Sequence, residues 1–85
     1  MKTSTKFTKR IFYLPETEAW NKEFGKRLKA RREELDLSQT DVAARCEITQ
    51  PHLSLLERGI INPQVATVFI LAKALNIEPE YFLIF

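Results

Sequence analysis

The side chains that most often carry out catalysis are scarce in this chain. Its 85 residues include one histidine, His52, and one cysteine, Cys46. Neither lies beside a cluster of carboxylates, so a nucleophile with its base is difficult to build from them. A single cysteine also excludes an internal disulfide and a cage of cysteine ligands for zinc, and it favours a reducing compartment. The sequence therefore predicts a binding protein without metal or cofactor rather than an enzyme.

Charged residues are divided unevenly along the chain. The formal net charge is only +2, yet residues 1–32 carry ten basic and three acidic side chains, while residues 33–85 carry three basic and eight acidic ones. A basic segment joined to an acidic body is attracted to polyanions, but a solvated helix face produces the same pattern. Charge alone leaves both interpretations open.

Length and hydropathy are typical of one small domain. A chain of 85 residues with 45% hydrophobic residues has the usual size and composition of a globular domain. No stretch reaches the roughly 18 uncharged apolar residues of a membrane-spanning helix, and the basic amino terminus has no apolar signal segment after it. We expect a basic arm over residues 1–14, one domain over residues 15–85, no membrane contact and a cytoplasmic location.

The spacing of apolar residues and the positions of capping residues predict an all-α fold of five helices. The first helix covers about residues 17–35. Its apolar stripe consists of Trp20, Phe24, Leu28 and Leu35. Ser38 and Asp41 have the spacing of a capping box, which predicts a second helix ending near Arg45.

Capping residues also delimit the helices of the second half. Thr49 is a good N-cap and Gly59 a good residue to follow a helix, so the third helix runs from about 50 to 57. The fourth covers about 64–75 and ends before Asn76, which tolerates the left-handed conformation. A short fifth helix carries the apolar residues of the carboxyl end.

The second and third helices are close enough to form a helix-turn-helix, whose second helix can enter a DNA major groove. Within about residues 21–83 several pieces stand out, namely Arg32, LSQTDVA at 37–43, Ile48 with Thr49, LSLLERG at 53–59, Asn62 with Pro63, and LAKALNI at 71–77. Together they resemble the helix-turn-helix domain of the phage lambda, 434 and Cro repressors and the Xre-type regulators. This resemblance implies a compact five-helix bundle of the lambda-repressor type, in which the third helix is the recognition helix.

The resemblance assigns base reading to the start of the third helix. Gln50 matches a position that faces base edges, where a glutamine amide can form two hydrogen bonds with adenine. The full base-reading set that it implies is Thr49, Gln50, Pro51, His52 and Leu55. For Gln50 and His52 the alternative is an ordinary solvated side chain. For Leu55, contact with a thymine methyl and burial by a partner are both open.

The resemblance also implies residues that hold the DNA backbone. The matching positions are Arg32, Ser38, Gln39, Arg58 and Asn62. Ser38 and Gln39 begin the second helix, where free N–H groups suit a phosphate. Arg32 and Glu57 match a partly buried ion pair between the first and third helices, and Arg32 is also directed toward DNA in that family.

Several positions depart from the pattern of the family. Asp36 and Glu47 stand where turn glycines are usual, so both turns lack the residue best suited to positive φ. Ile60 and Ile61 replace basic residues that hold phosphates in many relatives. Because the third helix has no basic residue before Arg58, nonspecific affinity is expected from the first helix and the arm.

The arm at the amino terminus has its own prediction. Its cationic residues are Lys2, Lys6, Lys9 and Arg10. They predict a mobile segment that adds electrostatic contacts to DNA, with packing of the apolar residues 11–14 onto the domain as the alternative.

At the carboxyl end, apolar residues predict a two-fold homodimer. The interface is expected from the fifth helix and the end of the fourth, with Tyr81, Phe82, Ile84 and Phe85 contributing most. These side chains cannot all turn inward on one short helix. Coverage of this end by Tyr13 and Trp20 of the same chain is the alternative.

Together these features predict a sequence-specific DNA-binding transcriptional regulator, with repression as its expected mode. As a dimer it would bind double-stranded DNA at an approximately palindromic operator. The alternative is a protein-interaction module of the same fold, such as an antitoxin that contacts a toxin.

Overall fold

The computed structural model of the protein describes residues 15–85. This part of the chain forms five α-helices and no strand. In chain order they are α1 (Pro15–Glu34), α2 (Gln39–Cys46), α3 (Gln50–Glu57), α4 (Val65–Ala74) and α5 (Glu80–Leu83). The predicted all-α fold is confirmed. The predictions for the arm, and for Tyr13 as a cover of the carboxyl end, fall outside the described residues.

The long helix α1 supports the other helices because its apolar face lies at the centre of the core. Phe24 and Leu28 are fully buried, and Trp20 packs against the same cluster. Leu35 was predicted on this stripe, and that prediction is wrong. The helix ends at Glu34, the left-handed turn at Asp36 follows, and Leu35 is 36% exposed.

One hydrophobic core joins the helices. Its buried members are Phe24, Leu28, Val42, Ala43, Cys46, Leu53, Leu56, Val68, Leu71, Ala72, Leu75 and Phe82. The rings of Phe24 and Phe82 meet edge to face at 5.2 Å between centroids. Burying an aromatic side chain of this kind stabilises a fold by about 1.5–3 kcal/mol. The contact therefore attaches the short helix α5 firmly to α1.

Two glycines let α1 cross closely over the end of α3. A Cβ added to Gly25 would lie 2.6 Å from the carbonyl oxygen of Leu56, and one added to Gly59 would lie 2.7 Å from the Cα of Lys22. Gly59 also has a φ of +72°, as expected for the residue after a helix. No larger residue fits either position without moving the backbone.

Three of the helices are followed by a residue other than glycine in the left-handed conformation. Asn76 has a φ of 56°, which confirms the prediction for the end of α4. Asp36 and Glu47 adopt nearly the same conformation, with φ of 55° and 56°. The turns of the family are thus kept without glycine, at a cost of roughly 1–2 kcal/mol for each non-glycine residue.

Side-chain caps begin α2 and α3 as the sequence predicts. The Ser38 hydroxyl accepts from the Asp41 N–H, and the Asp41 carboxylate accepts from the Ser38 N–H, both at 3.0 Å. These hydrogen bonds hold the pKa of Asp41 below its usual value. The Thr49 hydroxyl accepts from the His52 N–H at 3.2 Å. The start of each helix is therefore held by its own sequence.

Residues 15–85 contain no helix that is both long and apolar enough to span a membrane. Among the same residues, no three His, Cys, Asp or Glu side chains come together as a metal site.

Candidate nucleic-acid interface

The amino-terminal ends of α2 and α3 lie side by side. The Gln39 side chain, at the first residue of α2, and the Gln50 side chain, at the first residue of α3, are joined by a hydrogen bond of 2.6 Å. Free N–H groups give a helix start partial positive charge. Two such starts at one surface form an environment that favours the negative charge of phosphates.

Helix α3 has distinct inner and outer faces. Leu53, Leu56 and Glu57 are buried, so the inward direction predicted for the two leucines is confirmed. Gln50 and Pro51 are exposed. His52 and Leu55 are only half-buried, so part of each side chain remains accessible on the outer side.

Arg32 and Glu57 form a two-point ion pair between α1 and α3. The Arg32 Nε donates to Glu57 Oε2 at 2.6 Å, and Nη2 donates to Oε1 at 3.0 Å. The two side chains are only 12% and 3% exposed. The hydrogen bond to Glu57 raises the pKa of Arg32. The third guanidinium nitrogen of Arg32, Nη1, donates to the Leu37 carbonyl at 2.9 Å. Each nitrogen thus has a partner within the domain, and contact of Arg32 with a DNA phosphate stays a prediction.

Gln39 connects this ion pair to the recognition helix. Its Nε2 donates to Glu57 Oε1 at 3.0 Å, and its Oε1 accepts from Gln50 Nε2. Arg32, Glu57, Gln39 and Gln50 therefore form one continuous series of hydrogen bonds, which we call the polar chain. It runs from the interior of the domain to the exposed start of α3.

The residues predicted to hold phosphates fall into separate places. Ser38 and Gln39 lie at the start of α2, beside Gln50. Arg58 is exposed at the opposite end of α3. Asn62 is exposed in the loop before α4, where its Oδ1 accepts a hydrogen bond from Asn21. The predicted set is thus spread along the length of α3.

Asn21 is a buried polar residue that sequence reasoning missed. It is 7% exposed, and its Nδ2 donates to Asn62, which ties the loop before α4 to α1. A signal was available, because Asn21 precedes Phe24, Gly25 and Leu28 by three, four and seven residues. That spacing puts all four on one helical face.

Helix α1 was expected to supply part of the nonspecific affinity for DNA, but two of its arginines hold helices together. Arg27 donates to the Tyr81 carbonyl at 3.0 Å, and its guanidinium lies 4.7 Å from the centre of the Phe85 ring. Arg31 donates to the Leu75 carbonyl at the end of α4 at 3.0 Å. Both roles are structural, and the exposed cations of α1 are the lysines Lys22, Lys26 and Lys29.

The carboxyl end corrects part of the predicted dimer interface. Phe82 is fully buried in its own chain, so it has no surface to offer a partner. Tyr81 is half-buried, whereas Ile84 and Phe85 are 69% and 48% exposed. Trp20 stacks on Phe85 with 5.7 Å between the ring centroids. This agrees with the alternative prediction that Trp20 covers the carboxyl end of its own chain.

Helix α4 corrects the predicted interface as well. Near its end the apolar residues Leu71, Ala72 and the following Leu75 are buried in the core of the same chain. The exposed apolar residues lie in its first six residues instead. They are Val65, Phe69 and Ile70, at 72%, 48% and 47% exposure.

With this geometry, comparison with known proteins identifies the family. Residues 28–82 match the helix-turn-helix family. The chain belongs to that Cro/C1-type family. The family resemblance predicted from the sequence is thereby confirmed.

Two relatives of this helix-turn-helix family come from Sinorhizobium fredii. The uncharacterized HTH-type transcriptional regulators y4dL and y4dJ are 39% identical over 51 residues and 47% identical over 47 residues. The alignments cover 60% and 55% of this chain, but only 26% and 61% of the relatives. The chain therefore carries the helix-turn-helix domain found in proteins named as transcriptional regulators, and spans only part of their length.

Solved structures share the fold. The restriction-modification controller protein C.AhdI from Aeromonas hydrophila is 32% identical, with a TM-score of 0.74, and the match covers 76% of this chain and 94% of that one. An HTH_3 family transcriptional regulator from Vibrio cholerae is 24% identical with a TM-score of 0.74, covering 78% of this chain and 37% of that one. The second similarity is evidence for the fold alone.

Proposed function

We propose that the protein is a sequence-specific DNA-binding transcriptional regulator that inserts α3 into the major groove. The observation that carries this proposal is the contact between Gln39 and Gln50, which joins the starts of α2 and α3 at one accessible surface. A helix lying with its amino-terminal residues against base edges fits the width of that groove. Membership of the helix-turn-helix family supports the same function.

Base reading is proposed for the outer side of α3. Gln50 is exposed at the first position of the helix, where its amide can form two hydrogen bonds with adenine. Thr49 and Pro51 are exposed beside it, and His52 and Leu55 follow with part of each side chain accessible.

Phosphate contacts are proposed on both sides of this reading surface. Ser38 and Gln39 begin α2, and Gln39 retains a second Nε2 hydrogen that Glu57 does not use. Arg58 and Asn62 would hold the backbone beyond the other end of α3, and Arg32 is proposed as a further phosphate contact. The four cationic residues of the arm, in residues 1–14, would add electrostatic attraction.

A homodimer is proposed because one small domain buries too little groove surface for tight specific binding. The exposed apolar side chains that support an interface are Val65, Phe69 and Ile70 on α4, and Leu83, Ile84 and Phe85 at the carboxyl end. Tyr81 would add to the edge. Two-fold symmetry would put the two copies of α3 about 34 Å apart on an approximately palindromic operator.

The relatives favour a DNA-binding transcriptional regulator over a protein-interaction module such as an antitoxin. The exposed Ile60, at 55%, and the apolar carboxyl end are the features that a further protein partner would use. In bacteria, where these relatives are found, the target DNA lies in the cytoplasm, and we propose the same location for this protein.

Selection of bound fragments from a random pool of duplex DNA tests the proposed function. We expect enrichment of an approximately palindromic sequence, and an affinity for it that falls steeply as salt rises. Arg58→Gln should lower the slope of log K against log salt by about 0.9 if Arg58 holds one phosphate. Lys73→Gln removes the same charge from the end of α4 and should leave the slope unchanged. Absence of both enrichment and salt-dependent binding would overturn the proposal.

A further inference from the structure

The buried carboxylate of Glu57 accepts hydrogen bonds from two residues at once. Arg32 donates to both of its oxygens, and Gln39 donates to Oε1 at 3.0 Å. An ionised carboxylate has no hydrogen to donate. The Glu57 side chain is also only 3% exposed. A water molecule that could stand between it and Gln39 and donate to Gln39 therefore has little access.

This chemistry determines the orientation of the Gln39 amide. A side-chain amide has one face that donates and one that accepts. Because Glu57 only accepts, Gln39 must turn its NH₂ group inward and its carbonyl oxygen outward. That oxygen is the atom that meets Gln50, at 2.6 Å from Nε2.

The same constraint passes to Gln50. Since Gln39 presents an oxygen, Gln50 must turn one N–H of its NH₂ group toward it. Its carbonyl oxygen and its second N–H then remain free at the exposed start of α3. One acceptor beside one donor is the pattern that pairs with N6–H and N7 of adenine. The reversed amide would leave both N–H groups free, which suits the two acceptors N7 and O6 of guanine.

We propose that Glu57 is a specificity-determining positioning residue, which imposes through Gln39 the amide orientation that makes Gln50 select adenine over guanine. The inference rests on the proposed reading of bases by Gln50. It assigns to the interior of the domain a direct influence on base preference, although Glu57 itself touches no base. The two-point ion pair with Arg32 holds the carboxylate in place.

Glu57→Gln tests this role because the new side chain has the same shape but can both accept and donate. The amide at position 57 can donate to Gln39, which allows the polar chain to reverse. We expect the preference for adenine over guanine at the base read by Gln50 to fall roughly tenfold, a size typical of one lost two-point base contact. Preferences at the other operator positions should stay as they are. Competition binding with operators altered at single positions measures this ratio.

Arg32→Lys serves as the matched control. It weakens the ion pair and the packing of α1 on α3, yet leaves an acceptor-only carboxylate at position 57. We expect it to lower stability and to keep the adenine preference. If Arg32→Lys relaxed the preference as much as Glu57→Gln, the effect would follow stability and the proposal would be overturned.

Gln39→Ala provides a second route should Glu57→Gln fold poorly. It interrupts the polar chain at a half-buried surface position while Glu57 stays intact. We expect the same loss of adenine preference, and an unchanged preference would overturn the proposal. Gln50→Ala distinguishes a failure of the proposed base reading by Gln50 from a failure of the proposed role of Glu57. If Gln50→Ala alters no base preference, the proposed reading by Gln50 fails, whereas an effect of Gln50→Ala without any effect of Glu57→Gln or Gln39→Ala overturns only the role of Glu57.

Discussion

The Gln50 side chain is accessible at the surface and is also held by a neighbouring residue. Both properties suit its proposed role in base recognition. Its side chain is exposed at the start of α3, and Gln39 holds its Nε2 from one side. A restrained side chain loses less conformational freedom when it binds. Gln39 is less exposed and is engaged by both Glu57 and Gln50, so it is expected to orient the Gln50 amide in addition to contacting a phosphate.

At this scale we predict the effect of Gln50→Ala. Binding to the preferred operator should weaken by about 1–3 kcal/mol, with relaxed preference at one base position, because a base-edge pair is lost. Titration of the operator and of its single-base variants measures both quantities. Gln64→Ala is the control, since Gln64 is an exposed glutamine at the start of α4 without a capping hydrogen bond. Equal weakening on every sequence would contradict base reading by Gln50.

Among the helices, the crossing of α1 over the end of α3 determines where the polar chain lies. Gly25 makes this crossing close, because its missing side chain leaves room for the carbonyl groups of Leu56 and Glu57. Glu57 is the last residue of α3, so the same contact brings its carboxylate within reach of Arg32. The core of the domain and the candidate reading surface are therefore parts of one packing arrangement.

Gly25→Ala tests this arrangement, because helix propensity and crowding change the free energy of unfolding in opposite directions. Helix propensity alone would make alanine more stable than glycine by about 1 kcal/mol. Crowding against the α3 backbone should instead destabilise the variant by about 1–3 kcal/mol. Urea denaturation followed by circular dichroism measures the free energy of unfolding. Ala30→Gly, at an exposed position of the same helix, calibrates the propensity effect, and a stabilised Gly25→Ala would refute the close crossing.

At the scale of the whole molecule, the proposed homodimer needs exposed apolar side chains that a second protomer can cover. Among the described residues, exposed apolar side chains form two groups, one in the first six residues of α4 and one in the last three residues of the chain, while Leu35 and Ile60 are exposed singly. Phe82 does not belong to either set because it completes the core beside Phe24. Replacing Phe82 by aspartate would therefore report on folding instead of assembly.

We predict that Ile84→Asp raises the dimer dissociation constant at least about tenfold, since a charge placed in an apolar interface is poorly solvated. Ile84 is 69% exposed in the protomer, so the substitution should leave the fold intact. Sedimentation equilibrium at micromolar concentration measures the association. Ile60→Asp, at an exposed apolar residue outside the proposed interface, is the control and should remain dimeric. A wild-type protein that is monomeric and binds single half-sites would disprove the dimer.

The sequence by itself determined the local features of this protein. The caps at Ser38 and Thr49, the left-handed Asn76 and the helix bounds to within a few residues were all predicted, and the structure has them. These features depend on residues no more than about four positions apart, so the local sequence is enough to predict where they occur. The family could also be recognised, because its motifs are continuous segments.

Tertiary structure decided which side chains meet and which stay exposed. Gln39 joins Glu57 across 18 positions and Asn21 joins Asn62 across 41, and neither contact was predicted. The Arg32–Glu57 pair, across 25 positions, was expected, but from the family resemblance and not from local spacing. The inward direction of Phe82, the outward direction of Ile84 and the use of Arg27 and Arg31 within the fold depend on how helices cross. Periodicity identifies the faces of a helix, but the angle and separation of its neighbours determine what each face touches.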